Sequence, residues 1–382
     1  MMHRRIGGAV AAFGLVALLA GPGAAQTIDA GPFELDFTGR VQTQFNTTSV
    51  DEDRVGESIA WSTFETRRVR LGVEVAYGDW MTGKLEPDFA LGELTLKDAW
   101  VNWAFAPAFE VRFGQFKKPF SRIDLTSSTK ILPIERGVRI RGLVEAFDAE
   151  LGPDGEPLLG DFGGDLVLGE EYELLDVLGF VGHDIGVSIH GDLGSRLGYA
   201  VGAFNGSGAD DRDDNDGKSV AGRLTFAPAA ALPLSLGAGV SYRETTIEDD
   251  DDLDDDLDLA GTAFELDAEW GDFRRPGVHV IVEGAAGENL AVDQAFLAAQ
   301  GWLAYFRALE GGKVEGLEPV VRLSWADPDT DRDDDAGLLL TPGFNIYFFG
   351  RNRFMVNWDW FFTGIEGFGA ENALRVQGQV YF

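Results

Sequence analysis

Positive charge is concentrated where the rest of the chain is acidic. Between Arg112 and Arg141 stand Arg112, Lys117, Lys118, Arg122, Lys130, Arg136, Arg139 and Arg141 against only Asp124 and Glu135, within a chain of net charge −33. A second group, Arg67, Arg68 and Arg70, lies in a segment where Arg68 and Arg70 share the face opposite Val69 and Leu71. Clustered cations that face water focus a positive field and raise the local concentration of anions. The same groups could instead pair with carboxylates and hold a loop in shape. For any one residue the two readings stand level; for the cluster as a group, the lining of a wet passage is preferred.

The elements that would position these residues read as strands. From Phe33 to Phe45 the residues Phe33, Leu35, Phe37, Val41 and Phe45 alternate with polar partners, a period of two. The alternation returns at Val69 to Tyr77, Ala99 to Phe105 and Phe109 to Phe113, then in segments from Ile185 to Phe382. Turns such as Tyr77-Gly78-Asp79-Trp80 separate some strands, and long polar segments separate others. This is the asymmetry of a transmembrane antiparallel β-barrel, and it predicts an all-β fold of about 16 strands with apolar side chains outward and polar ones in a wet lumen.

The ends agree with this. Arg4 and Arg5, the apolar run Ala9 to Ala20 and the small residues Gly23-Ala24-Ala25 read as a signal peptide over residues 1–25, leaving 26–382 as one barrel domain. The apolar run is shorter than the about 20 residues a spanning helix needs. Phe382 ends the chain on the face of Leu374, Val376 and Val380, a final strand similar to the signal read by outer-membrane assembly machinery. The absence of cysteine is compatible with passage through an oxidising periplasm. The net charge argues against nucleic acid as a partner.

The long segments are acidic, at Asp210 to Asp216, Glu248 to Asp258 and Asp327 to Asp335. Asp329, Asp331, Asp333, Asp335 and Gly337 echo a calcium loop but lack its closing glutamate, so a solvated loop is the preferred reading. His183 and His190, seven apart, fall on opposite strand faces and cannot form one hydrolytic site. No phosphate loop, zinc pattern or cofactor motif stands out, so neither catalysis nor a cofactor is expected.

At the basic segments the sequence resembles the phosphate-selective porin O and P family. The matching stretches are FETRRVRLGVE from Phe64, LKDAWV from Leu96 and, most specifically, FGQFKKPFSRIDLTSSTKILPIERG from Phe113 to Gly137. HDIGVSIHGDL, YAVGAFNGSG, LEPVVRLSWADPD and PGFNIYFFGRNRFMVNW extend the likeness toward the C-terminus. The resemblance implies a 16-stranded barrel, usually a homotrimer, in the outer membrane of a Gram-negative bacterium, in contact with lipid and lipopolysaccharide. It implies an inward loop narrowing the pore, with small anionic solutes such as phosphate or polyphosphate led to a basic site. On the matching motifs, Lys117, Lys118, Ser121 and Arg122 fall near the constriction, Lys130 and Arg136 on the inward loop, and Asp98 balances the local charge. An acidic, glycine-rich insertion, Leu143 to Val181, directly follows the basic segment. Two alternatives remain open: a general or cation-preferring pore governed by the acidic segments, and a non-conducting structural or adhesive barrel.

Overall fold

The structure, a computed structural model, describes residues 26–50, 59–137, 173–209, 217–247, 257–290, 294–333, 335–364 and 370–382. The signal-peptide segment, residues 138–172 of the basic segment and acidic insertion, and the acidic stretches 210–216 and 248–256 lie outside the described residues.

Seventeen strands follow in order: β1 Gln26–Ala30, β2 Phe33–Val50, β3 Ile59–Tyr77, β4 Met81–Asp88, β5 Thr95–Ala106, β6 Phe109–Lys117, β7 His183–Leu193, β8 Leu197–Phe204 and β9 Ser219–Phe226. Then come β10 Leu234–Ile247, β11 Leu257–Trp270, β12 Gly277–Asn289, β13 Gln294–Ala308, β14 Gly316–Asp327, β15 Gly337–Tyr347, β16 Arg353–Thr363 and β17 Glu371–Tyr381. Among the described residues, two short helices, α1 Arg122–Leu125 and α2 Leu174–Val177, lie between β6 and β7.

Strands β2 to β17 form an antiparallel meander that closes when β17 pairs with β2, from Glu371 opposite Val50 to Tyr381 opposite Arg40. That closed barrel has the expected 16 strands. Closure leaves no edge, which is the condition for strands to lie in a medium that offers no hydrogen bonds. The seam is sealed by the last residue: Gly39 N–H donates to the Phe382 carbonyl at 2.7 Å and Phe382 N–H returns to Gly39 O at 3.0 Å. A side chain at Gly39 would run into the Phe382 ring, so the glycine makes room for the terminal aromatic. Because β17 stops there, β1 covers the remaining edge of β2, pairing Gln26 to Ala30 with Phe37 to Phe33.

Outward positions carry Leu71, Leu85, Val101, Phe113, Val201, Leu266, Leu303, Leu323 and Val380, all exposed, as an apolar belt for lipid. Aromatic pairs gather at the end with the short turns: Phe33 with Tyr77, Tyr77 with Trp80, and Phe105 with Phe109, ring centroids 5.2 to 6.0 Å apart. No described helix is long and apolar enough to cross a membrane.

The lumen is not uniformly polar. On β11 to β14 the inward positions include Ala263, Ile281, Ala285, Phe296, Ala298, Trp302, Ala304 and Val320, all buried. The chain between β6 and β7 folds inward onto them. Ile123, Ile131 and Leu132 pack on Ile281, Trp302, Ala304 and Val320, while Phe120, Leu174, Leu175, Leu178 and Phe180 pack on Ala263, Ala285, Phe296 and Ala298. Burial of this apolar surface holds the loop to one side of the lumen.

An irregular buried segment must also satisfy its backbone polar groups. Side chains of the wall do so. Gln42 donates to Ser128 O at 3.1 Å, Gln379 to Thr129 O at 3.3 Å, Arg353 to Ile131 O at 2.6 Å, Asn345 to Leu132 O at 3.0 Å and Arg322 to Glu135 O at 2.7 Å. Ile134 N–H donates to Asn357 Oδ1. At the start of the loop Ser121 sits at φ 60, a left-handed conformation costing roughly 1 to 3 kcal/mol outside glycine. Its hydroxyl caps α1 by accepting from Asp124 N–H and donates to Glu283 at 2.7 Å, while Glu283 also accepts from Ile123 N–H.

Replacing Arg353 by alanine leaves the Ile131 carbonyl buried without its donor, at a cost of about 1 to 3 kcal/mol. Arg353→Ala is therefore expected to lower the thermal midpoint in detergent and to raise single-channel current noise. Phe354→Ala, on the outer face, should leave the noise unchanged. Equal noise in the two variants would show that these bonds do not hold the loop.

Candidate functional site

With the loop packed on β11 to β17, the open space lies along β2 to β9. Its larger part is a cavity of about 820 Å³ bordered by Leu91, Glu93 and residues 206–209 at the long-loop end. Among the described residues eleven basic ones border it: Arg40, Arg67, Arg68, Arg70, Lys84, Lys97, Arg112, Lys117, Lys118, Arg136 and Arg243. Eight described acidic residues do so: Glu86, Asp88, Glu93, Asp98, Asp124, Glu135, Glu173 and Asp176. A second cavity of about 330 Å³ lies toward the short turns, between Ser188, His190, Asp192, Thr225 and Arg223 on the wall and Pro119 and Leu125 on the loop. Arg112, Phe116, Lys117 and Leu125 border both, where the two cavities adjoin.

Strand chemistry explains how the cations reach the lumen. Ideal alternation would send neighbours Arg67 and Arg68 to opposite faces. The register between β2 and β3 shifts here, with Gln42 opposite Arg68 and Thr43 opposite Thr66, so Arg67 is the extra residue of a bulge. Both guanidiniums then reach Glu135 of the inward loop, at 2.9 and 2.8 Å, and Gln44 donates to the same carboxylate. Burial opposes the charge of Glu135, but the two arginines prevail and hold its carboxyl well below the usual range.

Most of the other cations are paired as well. Arg70 bonds Asp88 at 2.6 Å and Glu86 at 3.4 Å; Arg40 bonds Glu86 at 2.8 Å; Lys84 bonds Asp98 at 2.6 Å. Lys117 bonds Asp124 at 2.8 Å, and Arg136 stands 3.7 Å from the same residue. Burial raises and these cations lower the Asp124 carboxyl, with a net fall to about 2, so it stays ionised. Lys118 bonds the Gly179 carbonyl and lies 3.8 Å from Asp184; burial pulls its ammonium down to about 8. Glu173 behaves oppositely: burial, then Asp124 and Asp176, push its carboxyl well above the usual range.

Arg112 differs from these. Its guanidinium carbon lies 4.2 Å from the Trp100 ring centroid and 5.6 Å from that of Phe116, a cation–π arrangement that holds the group in place. No carboxylate among the described residues lies within ion-pair distance of it, and its Nε has no hydrogen-bond partner.

Three sequence-selected residues stand apart from the cavities. Ser121 is buried against Glu283. Arg122 turns toward β10 and β11, bonding Asp267, Glu269 at 2.7 Å and Ser235 at 2.9 Å. Lys130 is exposed but borders neither cavity. Conversely, Arg40, Lys84, Glu86, Asp88, Lys97 and Arg243 border the larger cavity and were not selected from sequence, although Lys84, Glu86 and Asp88 show the period-two spacing of one face. His183 borders the larger cavity and His190 the smaller, where it bonds Asn102 at 2.8 Å. No cluster of three or more acidic or histidine side chains suited to a metal occurs among the described residues, including those of the aspartate-rich loop before β15.

In overall shape the chain is similar to an anion-selective porin from Comamonas acidovorans, with a TM-score of 0.60 and 12% identity over 92% of this chain and 100% of that one. It is also similar to the outer-membrane channel DcaP of Acinetobacter baumannii, with 0.58 and 15% over 94% and 100%. A third likeness is to OprB of Pseudomonas putida at high pH, with 0.55 and 11% over 91% and 94%. None of the curated proteins compared matches the sequence. The family pattern of phosphate-selective porin O and P matches residues 36–263, more than half of the chain. With a closed 16-stranded barrel, an inward loop and that match, the chain belongs to the phosphate-selective porin O and P family and is an outer-membrane porin of a Gram-negative bacterium.

Proposed function

We propose that this porin passes small anions in preference to cations, through the junction of the two cavities bordered by Arg112, Phe116, Lys117 and Leu125. The observation that carries this is the excess of basic over acidic residues around the larger cavity, eleven against eight among the described residues, in a protein of net charge −33. Cations facing a confined aqueous passage lower the barrier for anions. The similar Comamonas structure is described as anion-selective, which agrees with this reading. Phosphate or polyphosphate is the sharper form of it, supported by the family description and by hydroxyl and cationic groups able to bond phosphate oxygens. A homotrimer is proposed on the same footing, since the Vibrio cholerae OmpT structure, 14% identical with a TM-score of 0.52, is described as a trimer. Residues 1–25 are proposed to act as the export signal and Phe382 as the mark read during assembly.

One observation favours a rival. Arg67, Arg68, Arg70, Arg40, Lys84 and Lys117 are each within 3 Å of a carboxylate oxygen, so much of the lining charge is neutralised locally. On that reading the acidic loops govern the pore and it prefers cations or neither sign.

Reversal potentials in a tenfold potassium chloride gradient across a planar bilayer decide between them. The anion reading predicts a chloride-to-potassium permeability ratio above one, falling several-fold in Arg112→Ala but little in Arg122→Ala, whose guanidinium is engaged on the wall. A ratio below one in the unaltered protein overturns the reading.

The same ratio should depend on pH with a definite sign. On raising pH, Glu173 gains negative charge as its elevated pKa is passed, and Lys118 loses positive charge near 8. Both changes weaken anion preference. The ratio is expected to fall as pH rises through about 8, where Lys118 titrates, and further wherever Glu173 ionises, and Glu173→Gln should keep only the part centred near 8. A ratio that rises with pH would contradict the assignment of these two groups to the passage.

A further inference from the structure

The junction of the two cavities is not uniformly polar, and this bears on which anions it suits. Leu125 projects from the inward loop with 37% of its surface exposed, although it faces a passage otherwise lined with charge. An apolar side chain facing water in a lumen, beside Arg112 on the border of the same cavity, gains from contact with an apolar occupant. Tyr199 and Ala200, both partly exposed on the wall, continue that surface into the smaller cavity, while His190 and Thr225 supply hydrogen-bonding groups. A volume of about 330 Å³ is at the lower end of the range for organic ligands, about 300 to 1,000 Å³.

From this we infer that the smaller cavity and its Arg112 rim form a transient binding site for small organic carboxylates that carry an apolar body. The inference rests on the anion reading above and names its solute class. Arg112 is suited to the carboxylate end: a guanidinium stacked on an aromatic ring still presents its edge N–H groups, and those match a planar carboxylate in a two-bond pair. The carboxylates beyond Arg112 fix the orientation. Glu110 and Asp192 lie on the short-turn side of the cavity, so the charge of a bound solute is drawn back toward Arg112 and its body rests against Leu125 and Tyr199. Inorganic phosphate offers no apolar surface to this pair and uses only half of the site. Weak binding is what a conducting pore requires, since a solute held too firmly does not leave.

The test is block of single-channel chloride current in the refolded porin by benzoate, with acetate and inorganic phosphate as probes lacking an apolar body. Benzoate is expected to half-block at a concentration at least tenfold below that of either. Leu125→Ser should weaken benzoate block about tenfold and leave acetate and phosphate unchanged; Arg112→Lys should weaken benzoate and acetate together. Because Leu125 lies on the exposed face of the loop, its variant keeps the test open should the Arg112 variant fail to fold. Phosphate acting at or below the benzoate concentration overturns the inference, as does absence of benzoate block whatever the sign of selectivity. A cation-preferring channel that benzoate still blocks in a Leu125-dependent way sinks the anion reading and upholds the carboxylate site.

Discussion

Five carbonyls between residues 128 and 135 are buried in the lumen, and each accepts a hydrogen bond from an inward side chain of β2, β14, β15, β16 or β17. Those bonds decide where the inward loop lies. Each unmade one would leave a desolvated acceptor, so the loop has one favoured seat on the wall. The apolar inward residues of β11 to β14 act with them, because leucine, isoleucine and phenylalanine side chains of the loop escape water by packing against them. Everything else about the passage follows from that seating: the half of the lumen left open, the strands that border it and the charges they bring.

The charges then divide by partner. Arg67, Arg68, Arg70 and Arg40 face carboxylates that enter the same lumen, and their function is in part to tie the loop to the wall through Glu135 and to order β3 and β4 through Glu86 and Asp88. A paired cation still contributes to the field, but less than one whose charge is uncompensated. Arg112 is held by aromatic faces instead, a device that fixes a guanidinium without neutralising it. Among the described lining cations, those that tie the loop to the wall are thus held by carboxylates, while Arg112 is held by rings.

The family and the shape carry different weight. The family match identifies a porin and its membrane, while structural likeness at 11 to 15% identity establishes a shared barrel. Solute choice in a pore depends on the side chains that line it, and in this chain the lining includes a stacked arginine and an exposed leucine, which the shared barrel does not itself require.

Much was legible without coordinates. Period-two alternation, short turns against long acidic segments and a terminal phenylalanine pointed to a closed antiparallel barrel of about 16 strands, because the lipid-facing side of every strand obeys one rule. The basic segments were legible as a cluster on the lumen side. Their individual roles were not, since pairing depends on carboxylates far away in sequence: Arg122 meets Asp267, 145 residues on, and Arg68 meets Glu135. The Arg67 bulge was hidden for a related reason, because an inserted residue leaves the local pattern intact on both sides. One overlooked signal was present: QAFLAAQGWLAYF in β13 is apolar on both faces, which marks a strand covered on the lumen side. The sequence by itself determined the barrel, its membrane face and the sign of the local charge. Only the tertiary structure decided which cations are neutralised and which remains open, because that depends on how a loop settles across the lumen.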